Sequence, residues 1–328
     1  MAEIMRTGPE MTSKDRREHA LIRVGYRRND HRVEPGLYST GAPSTASPVF
    51  VTSNYKLSFD ALRTNLRGID AYVLVLDTKG INVWCAAGKG TFGTDELVGR
   101  IESSGLKDIV THREVVLPQL GAPGIAAHEV KRRTGFHVTY GPVRAEDIKA
   151  FMDAGKKASE EMRRVRFPLR DRLVLAPVEM KNNALLALIF SVAGFLLAGA
   201  LGVAVVVTIY LAGTFLFPLL FPYLPSRDFT TKGMFVGALV SLPLVAVTLC
   251  TWKDIAMIEA ASFDVSMVLF CISAVGYIGL NWTGCTPYPS RTGVRREIYR
   301  YIPLIAAMAI AATVLAAIAG IFDMGAWF

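Results

Sequence analysis

One cysteine stands out among the residues that could do chemistry. Cys85 lies in the stretch NVWCAAGK, from Asn82 to Lys89, and no other cysteine precedes residue 250. The three residues that follow it are small, so the backbone there can approach a large flat ligand. If Asn82 caps a short helix, the positive end of that helix and the nearby Lys89 favour the thiolate. Because a thiolate is a soft metal ligand, the pattern indicates a soft-metal site.

Several alternatives compete with this interpretation. A lone cysteine is often just a small buried hydrophobic residue, and the residues alone leave that alternative open. A phosphate-binding P-loop is excluded, since Gly90 stands where Ser or Thr should follow the lysine and Val83 where the first glycine belongs. The pair His128-Glu129 lacks the second histidine of a zinc-protease motif. The sequence also lacks the DxHxxG motif through which many cobalamin proteins offer a histidine to cobalt.

Composition divides the chain into two parts. The chain has 328 residues and a formal net charge of +8, and it changes near Arg172 from a charged part to an apolar part. Arginines gather just before this change, at Arg163, Arg164, Arg166, Arg170 and Arg172. This placement is typical of a membrane-topology signal and not of a nucleic-acid surface, so no nucleic-acid partner is expected. The sequence contains no CxxC pair and no set of four neighbouring cysteines, so low-potential electrons must come from a partner protein.

Three regions are predicted from these patterns. Residues 1–47 are charged and then rich in Pro, Ser, Thr and Gly, which predicts a mobile N-terminal arm. Residues 48–172 form a cytoplasmic α/β domain, since the N-terminus lacks the apolar core of a secretory signal. Residues 173–328 form an all-α multi-pass transmembrane domain.

Strands and helices alternate in the α/β domain. Strands are predicted at 71–76, 108–116 and 136–140, with a strand-like run at 49–51. Helices are predicted at 59–66, 94–103, 125–134 and 145–165. This alternation predicts a Rossmann-like, mostly parallel sheet covered on both faces, with ligands at the carboxyl ends of the strands.

The apolar part predicts about five membrane helices. Residues 182–226 contain no Asp, Glu, Lys or Arg and are long enough to cross twice, with a turn near 199–202. Further spans are predicted at 233–251, 263–280 and 302–322. Five crossings from a cytoplasmic start keep six basic residues inside: Arg227, Lys232, Arg291, Arg295, Arg296 and Arg300. Only Lys253 then lies outside, in agreement with the positive-inside rule.

The stretch from Asn82 to Lys89 resembles the cap-helix signature of the HgcA family, the corrinoid proteins of bacterial mercury methylation. The resemblance extends to PVFVTSNY at 48–55, LPQLGA at 117–122 and YGPVR at 140–144, and it covers roughly residues 48–180. The soluble corrinoid iron-sulfur proteins of the acetyl-CoA pathway share related stretches but lack a membrane half. The apolar tail is therefore similar to the HgcA family.

This resemblance implies a corrinoid-dependent methyltransferase of the cytoplasmic (inner) membrane. Cys85 would be the catalytic residue, and its thiolate the lower axial ligand of the cobalt in a base-off corrinoid (cobalamin). The methyl group would pass from methylcobalamin to Hg(II), forming methylmercury, with a ferredoxin-like iron-sulfur protein as electron donor and the lipid bilayer as anchor. Residues expected to contact the corrin are Thr52, Ser58, Asn82, Val83, Trp84, Cys85, Ala86, Lys89, Thr91, Gly93 and Thr94.

Two other functions stay open from the sequence. One is a membrane-anchored corrinoid methyl carrier of one-carbon metabolism with a different acceptor. The other is a membrane receptor or scaffold whose α/β domain binds no cobalt. Replacement of Cys85 with Ala tests these functions. Loss of both the cobalt-thiolate spectrum and methylmercury production supports the methyltransferase, retained methylation refutes the role assigned to Cys85, and a scaffold shows neither signal.

Overall fold

The computed structural model describes residues 4–253, 256–286 and 288–322. The first three residues of the predicted arm and the last six of the predicted membrane domain lie outside this set. The chain forms two compact units, Met1–Val165 and Arg166–Phe328. Their boundary lies a few residues before the predicted one, among the arginines that precede the apolar part.

The first unit contains a six-stranded sheet in the order β1-β2-β4-β3-β5-β6. The strands are β1 (Met5–Arg6), β2 (Gly36–Thr40), β3 (Val49–Ser53), β4 (Ala71–Leu76), β5 (Glu114–Leu117) and β6 (His137–Tyr140). Neighbouring strands are parallel except β2 and β4, which are antiparallel. The sheet is therefore mixed but mostly parallel, as predicted.

Helices cover both faces of this sheet. They are α1 (Ser13–Arg23), α2 (Lys56–Asn65), α3 (Val83–Lys89), α4 (Thr94–Ser103), α5 (Leu106–Ile109), α6 (Ala127–Thr134), α7 (Ile148–Asp153) and α8 (Glu160–Arg163). Short 3-10 segments lie at Gln119–Gly124 and Ala145–Asp147. Along β4, Leu74 belongs to one apolar core and Val73 to the other, because successive side chains of a strand point to opposite faces.

The expectation of a mobile arm is corrected by an ionic cluster that fixes α1 on α2. Asp15 of α1 accepts from Lys56 Nζ at 2.6 Å and from Arg63 Nη2 at 2.8 Å. The fully buried carboxylate of Asp60 accepts from Arg63, Lys56 and His19. Farther along the arm, β2 pairs with β4. Composition did not reveal this order, because the partners lie about 40 residues away in the chain.

Two predicted elements of the α/β unit have different bounds. The strand predicted at 108–116 is shorter, since Gly105 adopts a left-handed conformation that starts α5, and β5 begins only at Glu114. The helix predicted at 145–165 is broken into α7 and α8. Gly155 and Lys156 both have positive φ there, which ends a right-handed helix.

The second unit is helical. It contains α9 (Leu169–Leu211), a π-helical segment (Ala212–Leu216), α10 (Phe217–Leu220), a 3-10 segment (Phe221–Tyr223), α11 (Phe229–Thr251), α12 (Met257–Cys285) and α13 (Arg291–Phe322). Among the described residues, four segments are long and apolar enough to cross a membrane: Leu169–Tyr223, Phe229–Thr251, Met257–Cys285 and Arg291–Ala319. The count of candidate segments is thus four and not the predicted five.

The difference arises in the first segment, which folds back on itself. Ala198 and Gly199 have non-helical backbone angles within α9. A Cβ built on Gly194 would lie 2.8 Å from the carbonyl oxygen of Gly202, although eight residues of straight helix would separate them by about 12 Å. The hydroxyl of Tyr210 donates to the carbonyl of Met180 at 2.9 Å. The segment therefore consists of two antiparallel arms that turn at 198–199.

Candidate functional site

Cys85 lies in the first turn of α3. The Asn82 side chain accepts a hydrogen bond from the Cys85 amide at 2.9 Å, and this confirms the predicted cap. Gly90, with a φ of 83°, ends the helix. The side chain of Cys85 is half-buried. The local sequence therefore builds a short helix that presents one thiol.

Asn54 holds the turn that leads into this helix. It directly follows β3, is 2% exposed, and its Oδ1 accepts from Thr78 N at 3.1 Å, Thr78 Oγ1 at 2.9 Å and Gly80 N at 3.1 Å. Its Nδ2 donates to Asp77 Oδ1 at 3.1 Å. Sequence reasoning missed this residue. The available signal was an amide side chain directly after a buried strand, at the edge where ligands bind.

The order in which the chain adds strands to the sheet reverses at β3, next to the site. From β3 the chain continues to β4 on one side, whereas β5 lies on the other side of β3 and leads on to β6. Crevices at the carboxyl ends of two such strands are the usual ligand sites of open α/β sheets. The turn after β4 carries α3 and Cys85, so the structure is consistent with the prediction of a site at this edge.

The 3-10 segment after β5 approaches α3 very closely. A Cβ on Gly121 would lie 2.6 Å from Phe92 Cε1. A Cβ on Gly124 would lie 3.0 Å from Ala87 Cα and would collide with the carbonyl oxygen of Phe92. Glycine at 124 therefore allows backbone to pack directly against the cap helix, and glycine at 121 makes room for the ring of Phe92 just after it.

The predicted contact residues occupy different environments. Val83, Ala86 and Thr52 are buried, at 8%, 0% and 3% exposure, and the first two belong to the core beneath α3. Trp84 and Ser58 are half-buried.

The remaining predicted residues follow Cys85 in the chain. Lys89 is exposed at the end of α3, and Gly93 is the N-cap of α4. The Thr94 hydroxyl accepts from the amide of Ala126 at 2.9 Å. This bond ties Thr94 to the segment before α6, so its hydroxyl has a structural partner.

Two hydroxyl oxygens at this edge are buried and have no hydrogen-bond partner in the described part of the chain. They are Ser53 Oγ, at the end of β3, and Thr91 Oγ1, just after α3. Buried polar atoms are nearly always paired, so these two hydroxyls need partners beyond the described chain, and a bound ligand is one group that could supply them. Ser53 was not among the predicted residues.

Charged and phenolic groups surround the cap. Burial raises the pKa of Tyr55, the Cys85 thiol raises it further, and Arg28 and Arg23 act in the opposite direction. Burial also acts to raise the pKa of Asp77, but hydrogen bonds from Lys79 outweigh it and hold that pKa below its usual value. Asp77 is therefore ionised at neutral pH beside the turn that carries Cys85.

The side chains of this site suit a metal that is already bound by a macrocycle. Within the described ranges, no group of three or more His, Cys, Asp or Glu side chains could hold a bare metal ion. A single half-buried thiol can supply one axial ligand to a metal whose other ligands come from a macrocycle. The small residues of α3 and the two orphaned hydroxyls fit such a cofactor.

Comparison with known proteins points to the same chemistry. Residues 26–152 match the family model described as CO dehydrogenase/acetyl-CoA synthase delta subunit. The α/β unit is similar to corrinoid iron-sulfur proteins. The corrinoid/iron-sulfur protein large subunit of Moorella thermoacetica is 30% identical over 149 residues, covering 43% of this chain and 33% of that protein.

Subunits of a second complex are similar over the same region. The gamma subunit of the acetyl-CoA decarbonylase/synthase complex of Methanopyrus kandleri is 33% identical over 128 residues, covering 38% of this chain and 27% of that protein. The corresponding subunit of Archaeoglobus fulgidus is 32% identical over 124 residues, covering 37% and 26%. The chain thus spans a third or less of the length of these relatives.

Proposed function

We propose that this chain is a membrane-anchored corrinoid methyltransferase that transfers a methyl group to Hg(II), with the Cys85 thiolate as lower axial ligand of cobalt. The observation that carries the proposal is the single half-buried thiol on a capped helix at the crevice edge, in a unit similar to corrinoid proteins. When bound, the corrinoid supplies the cobalt chemistry of methyl transfer. The resemblance of Asn82–Lys89 to the HgcA signature is what suggests mercury as the acceptor.

The residues of the chain set the conditions for that chemistry. As a ligand of the bound metal, the Cys85 thiolate would supply electron density through sulfur, which would favour transfer of methyl to a soft electrophile. Asn82 and Asn54 hold the backbone on either side of the turn, so the thiol is positioned before the cofactor binds. Gly124 allows the segment after β5 to pack against Ala87 of α3.

The test uses the full-length protein in detergent, loaded with cobalamin. We expect a sulfur-to-cobalt absorption band in the wild type that disappears in Cys85→Ala, together with loss of methylmercury formation. Cys250→Ala is the matched control, because Cys250 is exposed and lies in the other unit. An unchanged cobalt spectrum in Cys85→Ala contradicts the proposed ligand, and retained methylation contradicts the proposed role.

A second candidate function differs only in the methyl acceptor. The names of the relatives favour a corrinoid methyl carrier of one-carbon metabolism. Such a carrier would show the same Cys85-dependent spectrum, but it would transfer methyl to a physiological acceptor other than Hg(II). Incubating the methylated protein with Hg(II) and following the loss of its cobalt-carbon absorbance separates the two functions.

The reductant is also a proposal. Cys85 is the single cysteine of the α/β unit, and one thiolate cannot hold an iron-sulfur cluster. We propose a ferredoxin-like iron-sulfur protein as the electron donor. A reduced ferredoxin should restore the cobalt(I) spectrum of the oxidised protein, and an apo-ferredoxin should not.

For the membrane unit we propose five crossings, with the two arms of the first segment counted separately and the α/β unit in the cytoplasm. The ends of these arms lie together, since the Arg172 guanidinium donates to the carbonyl of Pro218 at 2.7 Å. The end of α11 at Thr251 and the start of α12 at Met257 then face the opposite side of the membrane. Cys250, which is exposed, should react in intact spheroplasts with a membrane-impermeant maleimide, whereas Cys85 should react only after lysis.

A further inference from the structure

A basic connection, here called the strap, joins α1 to the segment before β2. The strap consists of residues 23–32, with the sequence RVGYRRNDHR, and it contains four arginines, one aspartate and one histidine. α1, whose last residue is the first residue of the strap, is fixed by the buried ionic cluster of Asp15 and Asp60. The strap therefore starts from an anchored helix.

The strap lies along the edge that carries the site. The carbonyl of His31 accepts from the amide of Lys56 at 3.1 Å, and Arg32 forms a β-bridge with Tyr55. A Cβ on Gly80 would collide with the carbonyl oxygen of Asn29, so the strap backbone packs directly on the turn that leads to α3. These three contacts place the strap beside the crevice.

Arg28 brings a positive charge to Tyr55, which lies two residues after the end of β3. Its Nε donates to the hydroxyl of Tyr55 at 3.1 Å, and its Cζ lies 5.9 Å from the centre of that ring. Tyr55 is 3% exposed and directly follows Asn54, the residue that holds the turn before α3. The guanidinium of Arg28 is thus bound to the residue next to the one that positions this turn.

The cations of the strap are largely uncompensated. Arg27 forms an exposed ion pair with Asp30. In contrast, no carboxylate of the described residues lies within ion-pair distance of Arg23, Arg28 or Arg32. A guanidinium has five N–H donors, and Nε is the donor that Arg28 uses toward protein. The remaining donors are available to an anion, and their geometry matches a phosphate.

A corrinoid held through a protein thiolate presents such an anion. Its own nucleotide base is displaced from the lower face of the metal, the face that Cys85 would occupy. The nucleotide tail of cobalamin contains a phosphodiester, which must then be accommodated on the same side as the thiol. Building on the proposed function, we propose that Arg28 and its neighbours in the strap bind this phosphodiester and so select corrinoids that carry a nucleotide tail.

The experiment compares cobalamin with cobinamide, which lacks the nucleotide and its phosphodiester. Dissociation constants are measured by absorbance titration of the full-length protein in detergent. We expect the wild type to bind cobalamin more tightly than cobinamide, and Arg28→Gln to weaken cobalamin about tenfold or more while cobinamide is unaffected. Raising the salt concentration should reduce the preference of the wild type, because screening weakens charge pairing with an exposed strap.

Two further variants separate the effect of the Arg28 charge from an effect on the folding of the strap. Tyr55→Phe removes the hydrogen bond to Arg28 but leaves the guanidinium, so the preference for cobalamin should persist. Arg27→Gln is the matched control in the same strap, since Arg27 already has a carboxylate partner, and it should change neither constant by more than about twofold. Equal weakening of cobalamin and cobinamide in Arg28→Gln overturns the phosphate assignment and assigns Arg28 a structural role. Failure of the wild type to bind either corrinoid instead overturns the proposed function.

Discussion

The turn that presents Cys85 depends on one amide side chain, and its removal has a calculable cost. Asn54→Leu leaves the buried backbone N–H groups of Thr78 and Gly80 without their acceptor. The Thr78 hydroxyl keeps a second partner, the carbonyl of Ile81 at 2.7 Å. An unsatisfied buried donor costs about 1–3 kcal/mol, so two donors reduce the free energy of opening this turn by about 2–6 kcal/mol.

Hydrogen exchange followed by mass spectrometry measures this loss in the full-length protein. At about 1.4 kcal/mol per tenfold change, we expect protection of the segment 77–89 to fall by about 30-fold or more in Asn54→Leu. Asn54→Asp keeps the acceptor oxygen but places a second carboxylate about 3.1 Å from the ionised Asp77, so it should also lose protection. Asn65→Leu is the control, because that amide bonds only to the carbonyl of Ala61 at the end of α2. Unchanged exchange of 77–89 in Asn54→Leu would refute the assignment of Asn54 as the residue that holds the turn.

Three further outcomes are expected. Gly124→Ala should destabilise the packing of α3 by about 1–3 kcal/mol and raise its hydrogen exchange, whereas Gly99→Ala, with no atom within 4 Å, should be neutral or stabilising. Hydrogen bonds outweigh burial and hold the pKa values of Asp15 and Asp60 below their usual range near 4. Their stabilisation of α1 is therefore complete above about pH 5 and is lost as the pH falls through the lowered values, so exchange of α1 amides, corrected for intrinsic rates, should rise only in that acid range. Trp282→Phe removes the hydrogen bond of Nε1 to the carbonyl of Gly213 at 3.0 Å in the π-helical segment, and it should lower the unfolding temperature of the detergent-solubilised protein, with an unchanged temperature contradicting a role for that bond.

The parts of the fold that depend on neighbouring residues were predictable from the sequence. The cap of α3 is one example, since Asn82 and Cys85 are three residues apart and the cap needs no distant partner. The turn near residue 199 is another, because its position followed from the length of an uncharged run. The strand predicted at 108–116 was wrong in extent, since periodicity does not resolve a four-residue helix from a four-residue strand.

Long-range polar contacts explain what the sequence did not reveal about the site. Asn54 acts on a turn more than 20 residues later, and Arg28 acts on Tyr55 27 residues later. In the sequence, both look like ordinary polar residues of loops. Their role becomes visible only when the parallel pairing of β3 and β4 brings the two carboxyl ends side by side.

The match to the family model of the CO dehydrogenase/acetyl-CoA synthase delta subunit begins at residue 26, within the strap, and leaves out both α1 and the membrane unit. Tyr55, the turn after β4 and α3 therefore lie inside the matched region, whereas the ionic cluster that anchors the strap draws Asp15 and His19 from outside it. The helix α1 can therefore act on the site, because its last residue, Arg23, fixes where the strap begins. Breaking the cluster with Asp60→Asn should consequently weaken the preference for cobalamin over cobinamide without changing the cobalt-thiolate band, since Cys85 and its cap remain in place.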